Sequence, residues 1–230
     1  MGGFFGAISR IECKYDVFFG TDYHSHLGTK RGGMAFYDPE KGFQRQIHNI
    51  ENTPFRTKFE GDLTKLGGTA GVGCISDTDP QPLLVRSHLG MFAIATVGMI
   101  SNDEDLVAET FSGPGHYFMA MSSGKVNGNE LIAALINRCD NLVDGIRYAQ
   151  NLIQGSMTIL LLTSDGIIAA RDMLGRLPIV IGQRKMVAAF PWSPLPARSW
   201  VTRWFTTWVP VRSRRSPRMV ISSCLLPATR

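Results

Sequence analysis

Three apolar segments stand back to back in the second half of this sequence, SMTILLLT (156–163), GIIAARD (166–172) and PIVIG (178–182), with no room for a helix between them. Strands joined this tightly pair antiparallel, because a parallel partner needs a crossover of a dozen or more residues. Ser164-Asp165-Gly166 supplies the turn between the first two. The same grouping recurs earlier. Residues 3–9 read as a strand between glycines, and GMAFYD (33–38) and FQRQIHNI (43–50) as two strands around the turn PEKG. Apolar stretches at 70–75, 83–87 and 91–97 read as further strands. Helices also come in groups. Phe55, Phe59, Leu63 and Leu66 recur at helical spacing within 54–66. Ser101 and Glu104 have capping-box spacing at the start of another helix. Two more are expected at about 129–138 and 142–153. Strands in runs and helices in runs specify an α+β architecture of stacked, mainly antiparallel sheets with helical layers, not a doubly wound parallel sheet.

The 230 residues, 44% hydrophobic and 19% charged, suit a globular chain with a real core. No apolar run approaches the ~18 residues of a spanning helix, and no basic flank precedes the first apolar residues as in a signal peptide. Cys13, Cys74, Cys139 and Cys224 show no CxxC spacing and read as reduced thiols rather than zinc ligands. Net charge divides sharply. Residues 1–172 carry 14 Lys and Arg against all 19 acids, whereas residues 173–230 carry 10 Lys and Arg, no acid, and all four tryptophans. That late basic, aromatic stretch lacks the pattern of a nucleic-acid platform, so neither nucleic acid nor membrane is expected as a partner.

Most short motifs have bland readings. GGTAGVG (67–73) has no helix after it and reads as a turn or strand entry, not a dinucleotide loop. SSGKV (122–126) lacks the first glycine and the Ser or Thr of a phosphate loop. His24 and His26 have no third ligand nearby in sequence and read as loop or core residues, so no metal is expected. The two carboxylates of SDTDP (76–80) read as turn chemistry.

Residues 165–182 closely resemble the hairpin DGLYAARDPLGIRPLVLG of the amidophosphoribosyltransferase family, within its class II glutamine amidotransferase domain. The start MGGFFGAI is similar to that family's MCGVFGI, and HLGTKRGGMAFYD (26–38) to HRGQDSAGIAVYD. DPQPLLV (79–85) resembles NAQPF, and FAIATVGMISNDEDL (92–106) resembles LALAHNGNLVNYEEL. The matches run in family order over residues 1 to about 183. The resemblance implies a four-layer αββα sandwich of the N-terminal nucleophile hydrolase type. In that family a Cys exposed by removal of Met1 attacks the glutamine carboxamide, and an Asn side chain and a Gly N–H hold the oxyanion. The ammonia passes to a second domain that uses phosphoribosylpyrophosphate, in cytoplasmic purine biosynthesis. No cofactor is implied.

Carried over residue by residue, the resemblance places Gly2 at the nucleophile, where no side chain exists to attack. His26 and Gly28 of the His-Arg-Gly motif remain, with Leu27 at the Arg. The oxyanion Asn-Gly falls on Val97-Gly98, which keeps the Gly98 backbone donor alone. The Arg of HVRYST lies near Cys74, and the Asp for the substrate's amino group near Gly128. Five polar positions are thus replaced, which implies a lineage that has given up glutamine hydrolysis.

After residue 183 the family's Ser-Glu and Gly-Pro-Gly-Glu patterns give way to AAFPWSPLPARSWVTRWFTTWVPVRSRRSP, and no Asp-Asp occurs in the chain to serve a phosphoribosyltransferase site. The expected organisation is an amidotransferase-like domain at 1–183 and a basic Trp/Arg/Pro tail at 184–230, from a shifted reading frame or a natural extension, with the transferase domain absent. Three functions stay open: an amidophosphoribosyltransferase-like domain without glutaminase activity, a regulatory module binding glutamine or another small ligand in the old pocket, and an amidohydrolase using Cys13 or Cys74. A homo-oligomer is compatible with each.

Overall fold

Alternation along the strands decides the architecture. In the strand Gly2–Ile8 (β1), Phe4 and Ile8 point to one side and Phe5 and Ala7 to the other, and all but Phe5 are fully buried. Strands covered on both faces read as continuous apolar runs, which is what the sequence shows at each of the central strands. The computed structural model describes residues 2–111, 121–122, 125–188, 198–207 and 222–225.

In chain order the elements after β1 are α1 (Lys14–Tyr23), β2 (Arg31–Asp38), β3 (Gly42–Asn49), the short α2 (Phe55–Phe59), β4 (Ala70–Ser76) and β5 (Leu83–Ser87). Next come β6 (Gly90–Ile100), α3 (Asp103–Phe111), the two-residue strands β7 (Met121–Ser122) and β8 (Lys125–Val126), α4 (Gly128–Ile136) and α5 (Leu142–Leu152). The last elements are β9 (Gly155–Thr163), β10 (Gly166–Arg171), β11 (Ile179–Ala188), β12 (Arg198–Thr207) and β13 (Ser222–Leu225). One sheet has the order β11-β12-β1-β4-β2-β3 and the other β13-β10-β9-β6-β5, with β7 and β8 as a separate pair. Every strand pairing among the described residues is antiparallel.

Three cores fill the spaces between four layers. Phe4, Ile8, Val72, Leu160, Leu162 and Ile167 meet between the sheets. Small residues join them there, Ala35, Ala70, Ala93, Ala95 and Ala169, so the sheets approach closely. Gly6 shows how closely: a Cβ there would lie 2.9 Å from Leu160 Cδ2. Outside the first sheet, α1 and α2 cover Met34, Phe36 and Ile75 with Val17, Phe18, Phe55 and Phe59. Outside the second, α3, α4 and α5 cover Phe92, Ile94, Ile159 and Leu161 with Leu106, Leu131, Ile132 and Ile146. Each such large side chain contributes about 1.5–3 kcal/mol by leaving water. Asn127 and Asn141 cap α4 and α5, their side-chain oxygens accepting the Asn129 and Asp144 N–H groups at 2.8 and 2.9 Å, each cap worth ~1 kcal/mol. The chain is therefore the expected αββα sandwich. No helix among the described residues is long and apolar enough to cross a membrane.

Local expectations differ from the structure in three places. The helix expected over 54–66 breaks into α2 and a 3-10 turn at Gly61–Thr64, where glycine interrupts it. The helix expected to start at Ser101 begins at Asp103. Asn102 is tied to the α5–β9 connection, donating to Leu152 O at 3.0 Å and accepting Gln154 N–H at 2.9 Å. Helix α1 has no counterpart in the sequence reading. Its buried Val17, Phe18 and Thr21 are interleaved with the exposed Tyr15, Phe19 and Tyr23, which blurs the helical period. Strand β11 runs from Ile179 to Ala188, and the described backbone sets β12 between β11 and β1. Trp200 and Trp204 sit in β12, at the register positions of Met186 and Gly182. Trp192 and Trp208 lie outside the described residues.

Candidate functional site

Strand β6 passes from the inter-sheet core into open space at Thr96, and there a cavity of about 700 Å³ opens at one end of the sandwich. Its floor is a tight polar network. Gln81 grips the backbone of Thr96 from both sides: its Oε1 accepts the Thr96 N–H at 2.7 Å and its Nε2 donates to Thr96 O at 3.0 Å. The Thr96 hydroxyl donates to Asn129 Oδ1 at 3.0 Å. Asn129 donates in turn to the Asn127 side chain, and Asn127 to Pro80 O. The first turn of α4 is thereby bolted to β6 and to the β4–β5 connection.

Charged groups enter from the other wall. Arg31 at the head of β2 donates to Thr78 O and lines the cavity with Lys30. Asp77 accepts the backbone N–H groups of Thr29 at 2.7 Å and Lys30 at 3.2 Å. Burial pushes its carboxyl up, but lowering contributions, the Thr29 N–H hydrogen bond foremost, leave it below the usual carboxylate range. Asp79 stands two residues on and behaves oppositely. Burial pushes its carboxyl above the usual range, against the Gly128 N–H that donates to Oδ2 at 3.2 Å and against Arg31, which acts on it through space. The remaining lining mixes apolar residues, Val97, Ile100, Val107, Leu131, Ile132 and Met157, with the polar or charged Glu51, Asp103, Glu104, Lys125 and Ser156.

The residues singled out by sequence divide between this cavity and its surroundings. Val97, Gly98 and Gly128 line it. Val97 also packs on the inter-sheet core. Gly98 has φ +149°, and a Cβ there would fall 2.1 Å from Ser156 O, so only glycine fits. Gly2, His26, Leu27, Gly28 and Cys74 are not among its lining residues. Gly2 pairs with Ser76 of β4, whose other neighbour is Arg31. Asp77, the residue after Ser76, lines the cavity, so the Gly2 backbone lies one strand spacing, roughly 5 Å, from the strand end that leads into the cavity wall. A Cβ on Gly2 would lie 2.5 Å from the Ile75 carbonyl oxygen. Leu27 packs on β1, its Cδ1 2.9 Å from where a Gly3 Cβ would be. Exposed His26 holds Tyr23 O through Nδ1 at 2.7 Å, and Gly28 follows in extended backbone. Cys74 sits fully buried in the inter-sheet core.

Charged residues that sequence reasoning does not assign to the site line it, among them Lys30, Arg31, Asp77 and Asp79. The sequence offers only turn chemistry for Asp77 and Asp79, and no motif marks Lys30 or Arg31. The one available signal was the clustering of Lys30, Arg31, Asp77 and Asp79 beside otherwise family-like motifs. What hid it was distance along the chain, because β2 and the β4–β5 connection meet only through sheet pairing. Among the described residues no group of His, Cys, Asp and Glu could hold a metal ion.

Comparison with known proteins gives a consistent picture. No protein-family model matches the chain. The amidophosphoribosyltransferase of Methanocaldococcus jannaschii is 27% identical over 195 residues, covering 80% of this chain and 40% of that protein. The amidophosphoribosyltransferase of Archaeoglobus fulgidus is 30% identical over 172 residues, covering 69% of this chain and 35% of that protein. The chain thus spans about 40% or less of the length of these relatives. Among solved structures, glutamine phosphoribosylpyrophosphate amidotransferase from B. subtilis, complexed with ADP and GMP, superposes with a TM-score of 0.68 at 22% identity, over 88% of this chain and 41% of that one. A second, described as the allosteric regulatory enzyme of purine biosynthesis, gives 0.66 at 23% identity, over 89% and 41%.

Proposed function

Because this chain carries an amidophosphoribosyltransferase-like glutamine amidotransferase domain, we propose that it is a pseudoenzyme form of that domain, keeping the substrate-end cavity without glutamine hydrolysis. Its setting in this reading is cytoplasmic purine biosynthesis, where the relatives' role is to move glutamine-derived ammonia to phosphoribosylpyrophosphate.

The observation that carries the reading is Gly2. The family nucleophile position has no side chain, and the Ile75 carbonyl oxygen occupies the space a Cβ would need. Two further features support it. Val97 presents an aliphatic side chain where the family has an oxyanion-binding amide, and loss of one such donor costs ~10²–10³ in rate. Neither buried thiol substitutes. Burial pushes Cys13 and Cys74 far above the ordinary thiol range, the Cys13 thiol donates to Ala7 O at 3.6 Å, and the nucleophile would have to be the thiolate.

Ammonia release from glutamine by the purified chain tests this reading. The expected result is background for the wild type and for Gly2→Cys. Robust hydrolysis by either protein overturns it.

A further inference from the structure

Helix α1 lays three aromatic rings along its outer side. Tyr15, Phe19 and Tyr23 follow one another every four residues and are 57%, 53% and 70% exposed. That spacing keeps them in one line, because residues four apart share a face of a helix. The rings are held in place by their neighbours. Tyr15 stacks on Phe19 with ring centres 6.4 Å apart, Phe19 meets the buried Phe18 edge-on at 5.1 Å, and Tyr23 stands edge-on to His24 and His26. The Arg56 guanidinium of α2 lies over the Phe19 ring at 5.7 Å. The core is already filled from the opposite face of the helix by Val17 and Phe18, so packing within the chain does not account for the stripe. None of its residues lines the cavity.

The area suits a partner surface. Aromatic side chains bury about 150–250 Å² each when covered, and with more than half of each exposed, the stripe leaves about 350 Å² of ring surface on one copy. Two such stripes face to face would cover about 700 Å², close to half of the ~1,600 Å² that a stable dimer removes from water. Charged side chains flank the rings. Lys14 pairs with Glu12 at 3.1 Å beside Tyr15, and Arg56 pairs with Asp22 at 2.6 Å towards the Tyr23 end. An aromatic centre with a charged rim is the usual make-up of a protein–protein contact.

The pattern also selects the occupant. Read in either direction the stripe is Tyr-Phe-Tyr, with Phe19 in the middle. A surface of this kind complements itself across a two-fold axis. Antiparallel helices would set the Lys14 end of one copy against the Asp22 end of the other, and Glu12 towards Arg56, whereas parallel helices would set like charges together. Exposed pairs add little affinity, but they fix orientation, and antiparallel helix dipoles favour the same arrangement.

We propose that α1 is the self-association face of this chain: two copies pack antiparallel about a two-fold axis at Phe19, with Tyr15 of each copy against Tyr23 of the other. The contact is independent of the cavity and of the pseudoenzyme reading.

Sedimentation equilibrium of the full chain, run from about 1 to 100 µM, tests it. The wild type is expected as a dimer, and Phe19→Asp, which sets two carboxylates against each other on the axis, should weaken it about thirtyfold or more. Near-UV circular dichroism shows whether that variant is folded. Disulfide trapping reads the register without relying on it. In a chain with Cys139→Ser and Cys224→Ser, Phe19→Cys should cross-link to itself, whereas Tyr15→Cys and Tyr23→Cys should cross-link only when the two variants are mixed. A wild type that stays monomeric throughout, a dimer indifferent to a folded Phe19→Asp, or Tyr15→Cys that cross-links to itself and not to Tyr23→Cys overturns the proposal.

Discussion

Phe92–Ala95 and Thr96–Ile100 belong to one strand, β6, and have nothing else in common. The first four residues are fully buried, alternating between the inter-sheet core and the helical core. The last five stay paired with β9 but are less buried, pass through a left-handed glycine and form a cavity wall. The first part does only packing, so any volume-matched apolar residue serves. The second part must be shaped residue by residue. A lineage can therefore rewrite the cavity while the sandwich stays recognisable, and the 22–30% identities to amidophosphoribosyltransferases are compatible with that division.

The contrast breaks if core and rim respond alike to substitution. The largest effect is expected in the core: Leu161→Ala or Phe92→Ala should cost about 3–5 kcal/mol, read from denaturant midpoints. A loss below ~1 kcal/mol would mean that the second sheet is not packed as described. At the rim, Gly98→Ala should cost about 1–3 kcal/mol, because a Cβ cannot coexist with Ser156 O at 2.1 Å. It should also abolish any ligand-induced rise in melting temperature, which the core variants, once folded, should keep.

Thiol mapping by mass spectrometry gives a smaller, purely local readout. Cys13 and Cys74 should stay unmodified by an alkylating reagent in the native chain while the half-buried Cys139 reacts. Early modification of Cys74 would place it outside the inter-sheet core.

The smallest effect separates two carboxylates within the rim itself. Asp77, lowered from 3.8, adds stability that is present above that pH and lost as pH falls through its native value. Asp79, raised from 3.8, does the reverse: its native state favours the protonated form, so that contribution is present at acid pH and lost as pH rises. Asp79→Asn should therefore gain on the wild type as pH rises above ~4, and Asp77→Asn should lose. Carboxyl-carbon NMR titration checks the two directions directly, and equal titration of both residues would remove the asymmetry.

The fold was largely legible because strand alternation and turn residues are local. Strand β5 begins and ends where its apolar run does, at Leu83 and Ser87, and the Ser164-Asp165 turn separates β9 from β10 as read. Helix α1 was not legible, since Tyr15, Phe19 and Tyr23 put aromatic rings on the exposed face and so removed the contrast that a periodicity argument needs. The site was half legible. Val97, Gly98 and Gly128 follow from family order and do line the cavity. Arg31 and Asp79 do not follow, because their meeting depends on β2 and β4 lying side by side, and no local pattern encodes that register.

The carbonyl oxygen beside Gly2 also bears on the history of the chain. At 2.5 Å from the missing Cβ it belongs to backbone, not to a side chain that can swing away. A single codon change at position 2 therefore cannot be accommodated until β4 shifts as well, and β4 is clamped between β1 and β2. Under the pseudoenzyme reading proposed above, restoring a nucleophile requires at least two events, the first of which is harmful by itself. In that reading a loss at position 2 works as a ratchet, because selection finds no single-step path back.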